Sequence, residues 1–186
     1  MIEDVDYGPL ACLIGQWKGE RGLDISPDDD HADGIERNPF SESITFTAAG
    51  DVTNANEQVL AIVRYHQVVI RKSTNKQFHD QIGYWTWDSA TGAITHSLTI
   101  PRGCALLAGG KASVDAGKTI FSVAADLENN DYTIAQSDFM LEKARTTAFN
   151  MILEVQGDKM SYRESTMLAI YGKSFDHRDK SQLIRV

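Results

Sequence analysis

Cationic side chains are scarce in this chain and nowhere gathered: 18 Lys and Arg stand against 26 Asp and Glu, for a formal net charge of −8. Neutralising phosphates takes a Lys/Arg surface, so nucleic-acid binding is excluded, and a polybasic membrane-binding surface is missing for the same reason. No apolar run approaches the roughly 18 residues of a membrane-spanning helix. The opening Met1 to Asp6 has neither the basic nor the apolar region of a secretory leader. Cysteine is limited to Cys12 and Cys104. They form no C-x-x-C pair and have no histidine at zinc-ligand spacing, so neither a disulfide framework nor a local zinc site is signalled. They read as small buried hydrophobes in a protein of the reducing cytoplasm. Proline is down to four residues, and nothing in the composition points to disorder.

Motifs of common chemistries are missing as well. There is no G-x-S-x-G for a serine hydrolase. Gly103, Gly109 and Gly110 open no βα unit that would cradle a nucleotide phosphate. Asp28, Asp29 and Asp30 form an acidic run without the alternating spacing and closing glutamate of a calcium loop, and read as a solvated loop. The five histidines, His31, His66, His79, His96 and His177, include no H-x-H and no H-E-x-x-H.

What is present is period-two alternation. It is clearest at Ile94, His96, Leu98 and Ile100, and at Phe121, Val123, Ala125 and Leu127. A short helix or turn is expected from Tyr7 to Ile14, then a strand from Gly15 to Leu23 and a loop over 24–39. Strands follow from Phe40 onward, then Gln58 to Arg71, Gln77 to Trp87, Ala93 to Ile100, Thr119 to Leu127, Phe139 to Lys143, Ala148 to Val155, Lys159 to Ile170 and Ser181 to Val186. Turn-forming residues separate them, among them Ser89 to Gly92, Gly109-Gly110, Asp115 to Gly117 and Gln156 to Asp158. Long strands joined by short turns, with no helical pattern between them, predict an all-β fold. It is a closed, antiparallel, up-and-down β-barrel of about ten strands with a short N-terminal helix, formed by residues 1–186 as a single domain.

Within that frame His96 faces the barrel interior. His79 is in phase with Trp85 and Trp87 and reads as a strand-pair histidine, His66 is ambiguous because both faces of its strand are apolar, and His31 is solvated. His177 is placed at a strand-to-strand corner near the rim. Trp17, Trp85 and Trp87, with Met140, Met151, Met160 and Met167, suit either a packed core or an adaptable apolar cavity.

The stretch Gly8-Pro9-Leu10, followed by Leu13-Ile14-Gly15-Gln16-Trp17-Lys18-Gly19, resembles the opening of the nitrobindins, whose signature is G-x-W-x-G-x-G. Gly15, Trp17 and Gly19 match; the last position holds Arg21, and the next glycine is Gly22. Phe78 to Trp85, Gly157 to Tyr162, and His177 with Leu183 and Arg185 agree with the family in order and spacing. The similarity runs from residue 8 to residue 186. It implies a ten-stranded barrel holding a shallow ferric haem b on one axial histidine, with binding of nitric oxide and conversion of peroxynitrite to nitrate, and hence a possible peroxynitrite isomerase. On this resemblance His177 is the iron ligand, its second nitrogen oriented by Asp176 or a backbone carbonyl, and Gly15, Trp17, Gly19 and Met167 belong to the haem pocket.

Three other functions compete. A haem-free carrier of a fatty acid would need an internal cation, for which Arg64, Arg145 and Arg163 are candidates. An enzyme of different chemistry would use His96 or His66 as its base. A non-catalytic interaction domain would show an exposed apolar patch.

Overall fold

The computed structural model describes residues 5–30 and 34–186. The alternating segments form eleven strands: β1 Gly15–Pro27, β2 Ile35–Asn54, β3 Gln58–Arg71, β4 Lys76–Asp88, β5 Ala93–Ile100, β6 Cys104–Asp115, β7 Lys118–Asp126, β8 Ile134–Gln136, β9 Ala144–Gln156, β10 Lys159–Ile170 and β11 Lys173–Arg185. A 3₁₀ helix, Gly8–Leu13, precedes them, and a short helix, α1 Asp138–Lys143, lies between β8 and β9. From β1 to β7 each strand pairs antiparallel with the next. β7 then pairs with β9, β9 with β10, β10 with β11, and β11 returns to β1. Ten strands thereby close into the expected barrel, and β8 adds a short flap to the start of β6. Closure leaves the ring without a free edge.

Four segments depart from expectation. Gly109 and Gly110 do not form a turn but lie inside β6. A Cβ would come within 2.0 Å of the Tyr132 ring at Gly109 and within 1.9 Å of the Ser122 carbonyl oxygen at Gly110, so close approach, not chain reversal, requires glycine there. The strand expected at Phe139 to Lys143 is α1, capped by the Ser137 hydroxyl accepting the Met140 N–H. The loop expected over 24–39 is shorter, because β1 runs on to Pro27 and β2 begins at Ile35; His31 falls outside the described residues. The last strand begins at Lys173, which places His177 within β11 and not at a corner.

One end of the barrel is plugged. The 3₁₀ helix drives Leu10 and Leu13 into it against Trp17, all three with no exposed surface. The Trp17 indole N–H donates to the Leu13 carbonyl at 2.7 Å. Arg185 lies over the Trp17 ring at 4.2 Å and donates to the carbonyls of Ile14 and Cys12, satisfying groups left bare at the helix end. No helix among the described residues is long and apolar enough to cross a membrane.

Where β8 stops short of β9, the Gln136 side chain replaces a ladder: its amide donates to the Thr146 carbonyl at 2.8 Å and its oxygen accepts the Thr146 N–H at 2.7 Å. Gln136→Ala leaves both backbone groups of a buried residue unpaired. The expected cost is about 1–3 kcal/mol, read as a lower midpoint in urea unfolding; an unchanged midpoint would show that β9 does not need this bridge.

Candidate functional site

The site begins with an irregularity in β1. Trp17 and Gly19 face the interior, the pairing with both neighbours then slips, and the inward residues become Gly22 and Asp24. An extra residue in one strand changes which parity faces in. Gly22 is needed at the slip, because a Cβ there would sit 2.0 Å from the Phe40 ring. On β11, uninterrupted alternation keeps His177, Asp179, Ser181 and Leu183 on the inner side. Asp24 and Asp179 are cross-strand partners, and His177 lies two residues from Asp179. The His177 Nε2 sits 2.6 Å from the Asp24 carboxylate and 3.4 Å from that of Asp179. The second Asp24 oxygen accepts hydrogen bonds from the Asn38 amide at 2.7 Å and the Ser26 hydroxyl at 2.9 Å. No partner is found for the His177 Nδ1 among the described residues.

These groups line a cavity of about 300 Å³ in the half of the barrel away from the plug. Its apolar walls come from Phe40, Val69, Phe78, Leu98, Phe149 and Leu168. Arg71, stacked on the Phe78 ring at 4.8 Å, and Arg102, donating to the Phe78 carbonyl at 3.2 Å, also reach it. Asp24, Glu164, His177 and Asp179 make up one polar side.

Burial alone would lower the pKa of His177. The Asp24 hydrogen bond and the charges of Asp179, Asp24 and Glu164 outweigh it and push the pKa up to about 9. The ring is therefore an imidazolium at neutral pH. Burial would raise Asp24, but its bonds from His177, Asn38 and Ser26 hold the carboxyl below the ordinary value. Glu164 and Asp179 are raised, first by burial; the charge of Asp179 adds to this at Glu164, and that of Asp24 at Asp179. Behind this wall the buried Glu42 is also raised by burial; Gln67 and Tyr162 hold one of its oxygens at 2.7 and 3.0 Å.

The other sequence candidates are dispersed. Gly15, Trp17 and Gly19 do not line the cavity; they serve the plugged end. A Cβ on Gly15 would meet the Arg185 guanidinium at 2.9 Å, and one on Gly19 the Ser181 hydroxyl at 2.9 Å. Met167 lies between the lining residues Thr166 and Leu168 and is not itself in the lining. Asp176 bonds Ser165 and pairs with Arg178, away from the His177 ring. The carboxylate that orients His177 is Asp24, in a stretch that reads as loop. Arg64, Arg145 and Arg163 are exposed and outside the lining. His66 is on the outer face with Asp80 at 3.2 Å. His79 lines the cavity and meets Gln81 on its own strand at 3.2 Å; burial lowers its pKa.

His96 is interior as expected but sealed below the cavity, 1% exposed and stacked on Trp85 at 4.2 Å. Burial pulls its pKa down to about 3, so it is neutral. The Gln81 amide donates to the Tyr65 hydroxyl at 2.6 Å, which leaves the Tyr65 O–H to donate to the His96 Nε2 at 2.8 Å. The His96 proton is then on Nδ1, a buried atom without a partner among the described residues. A sealed, neutral ring serves neither as an accessible base nor as an iron ligand.

The THAP4-like, heme-binding beta-barrel domain model matches residues 6–185. Among solved structures, the crystal structure of Rv2717c from M. tuberculosis is similar with a TM-score of 0.73 and 21% identity, over 97% of this chain and 99% of that one; at that identity the likeness shows the fold. No curated protein matches.

The buried acid–base cluster fixes the pH profile of folding. His177 is raised above its unfolded pKa, so its stabilisation is complete below about pH 6.5 and is lost as pH rises through about 9. Glu164 and Asp179 are raised too, whereas burial lowers His96 and His79, which favours the folded state as pH rises toward about 6.5. Above about pH 7 these two are largely neutral in both states, so the folded chain holds more protons than the unfolded one and stability falls with rising pH. Denaturant midpoints are expected to decline from pH 7 to pH 9, and less steeply in His177→Gln. A wild-type midpoint that rises over this range would contradict the assignment.

Proposed function

The chain belongs to the THAP4-like, heme-binding beta-barrel domain family, and from that membership we propose that it binds one ferric haem b in the open half of its barrel, with His177 as the iron ligand. The observation that carries the reading is that, of the two imidazoles lining a largely apolar cavity, His79 and His177, only His177 has a ring nitrogen tied to a carboxylate, while no partner is found for its other nitrogen among the described residues. One free ring nitrogen is what iron requires, and a carboxylate behind the ring is the usual support for a ligating histidine.

The residues fit the remainder of the group by type. Phe78, Leu98 and Phe149 offer apolar surface to a flat macrocycle, and Arg71 and Arg102 offer cations to its carboxylate side chains. When bound, haem would supply an iron able to exchange small ligands, the chemistry of nitric oxide binding and peroxynitrite isomerisation in the nitrobindins this sequence resembles. His177 must lose a proton to serve, because only the neutral ring has a free electron pair. Both cysteines are free, which suits a reducing cytoplasm.

The fatty-acid reading is the weaker of the two. The three arginines proposed for it lie outside the cavity, and Arg71 and Arg102, which do reach it, would serve a haem carboxylate as well as that of a fatty acid, so the family membership is what favours haem.

Haemin added to the haem-free protein is expected to give saturable, one-to-one binding at the Soret band, abolished in His177→Ala. No Soret change in wild type would remove the haem reading. Affinity is also expected to rise about tenfold per pH unit between pH 7 and 9 and then level off, as the ring of pKa about 9 gives up its proton. An affinity that does not vary with pH would mean that this ring is not the ligand.

A further inference from the structure

We propose that Asp24 is a positioning residue for the haem ligand: its carboxylate holds the His177 ring, makes it a stronger electron donor, and so lowers the potential of bound iron. This rests on the haem reading above and adds to it the residue that sets the iron's preferred oxidation state.

A ring N–H held by a carboxylate gains imidazolate character, and the opposite nitrogen becomes more basic. Ferric iron carries one more positive charge than ferrous iron, so a stronger donor beside a fixed negative charge favours the ferric form.

The carboxylate is built to stay in place. Asp24 is 4% exposed, and its second oxygen is held at 2.7 Å by Asn38 of β2 and at 2.9 Å by Ser26. Three neighbouring strands, β11, β1 and β2, thus fix one ring through one carboxylate. Because Asn38 and Ser26 bond the oxygen that His177 does not use, substitution at the ring does not release Asp24. The Asp179 carboxyl group approaches the same ring nitrogen at 3.4 Å, farther than Asp24 at 2.6 Å, so Asp24 is the closer partner. The nearest carboxylate in sequence, Asp176, is engaged elsewhere by Ser165 and Arg178.

The test compares haemin-loaded wild type, Asp24→Asn and Asn38→Ala by redox titration and by the iron–histidine stretch in resonance Raman spectra. Asp24→Asn is expected to keep its Soret band, to show a higher midpoint potential and to show a lower stretching frequency. A tenfold loss of ferric preference corresponds to about 59 mV for one electron. Asn38→Ala loosens the carboxylate without removing its charge, and a smaller shift in the same direction is expected. An unchanged potential and stretch in Asp24→Asn with an intact Soret band would overturn the role of Asp24 and leave the haem reading standing. If Asp24→Asn does not fold, an unchanged potential in Asn38→Ala overturns it instead. Absence of a Soret band in wild type overturns both.

Discussion

The seam between β1 and β11 is the contact on which the rest of the molecule depends. It closes the ring, and both ends of the barrel are built on it. At one end it lays Arg185 over Trp17 and locks the plug. At the other it sets Asp24 beside His177 across 153 positions of sequence. Between these two points the slip at Gly19 to Gly22 changes the inward parity of β1. Without it Trp17 and Asp24 would face opposite ways, and the barrel would have either its plug or its site on the inner face of this strand, but not both.

The two halves of the interior use opposite solutions to burial. The plugged half is aromatic and aliphatic, close-packed around Trp17, Trp85 and Phe121. The open half leaves a cavity and accepts buried carboxyl groups around one imidazolium. Such groups are costly without partners, which is why Asp24 carries three hydrogen bonds and why Glu164 and Asp179 are held toward their neutral forms. His96, Tyr65 and Gln81 mark the boundary: a hydrogen-bonded chain runs from the sealed core to a cavity-lining side chain.

Much of the barrel was legible because burial on one face enforces alternation. β3, β5 and β10 fall on the bounds that the alternation predicts. β6 was not, because glycine carries two meanings, and at Gly109 and Gly110 it marks close approach, not a turn. α1 is too short to show a helical period. The first half of β11 reads as a corner because its inward residues face a polar wall, so no apolar alternation announces a strand. Asp24 was hidden for a related reason: strict alternation from Trp17 turns it outward, and only the bulge brings it in. The signal was present in the three-residue spacing of Gly19 and Gly22, which is also where the sequence departs from the G-x-W-x-G-x-G signature. His177 could be found by likeness, but the carboxylate behind it could not, since nothing local links them.

That seam also sets a timetable. Asp24 emerges from the ribosome 153 residues ahead of His177, which at about 5–20 residues per second is a delay of roughly 8 to 30 seconds. Throughout that interval β1 has one unpaired edge, a template for wrong partners. Contacts so distant in sequence form slowly even after synthesis. The strand that covers the edge is the same one that carries His177, so edge protection and the His177–Asp24 contact arrive together. A chain in which Asp24 holds His177 has, by that fact, already closed its barrel.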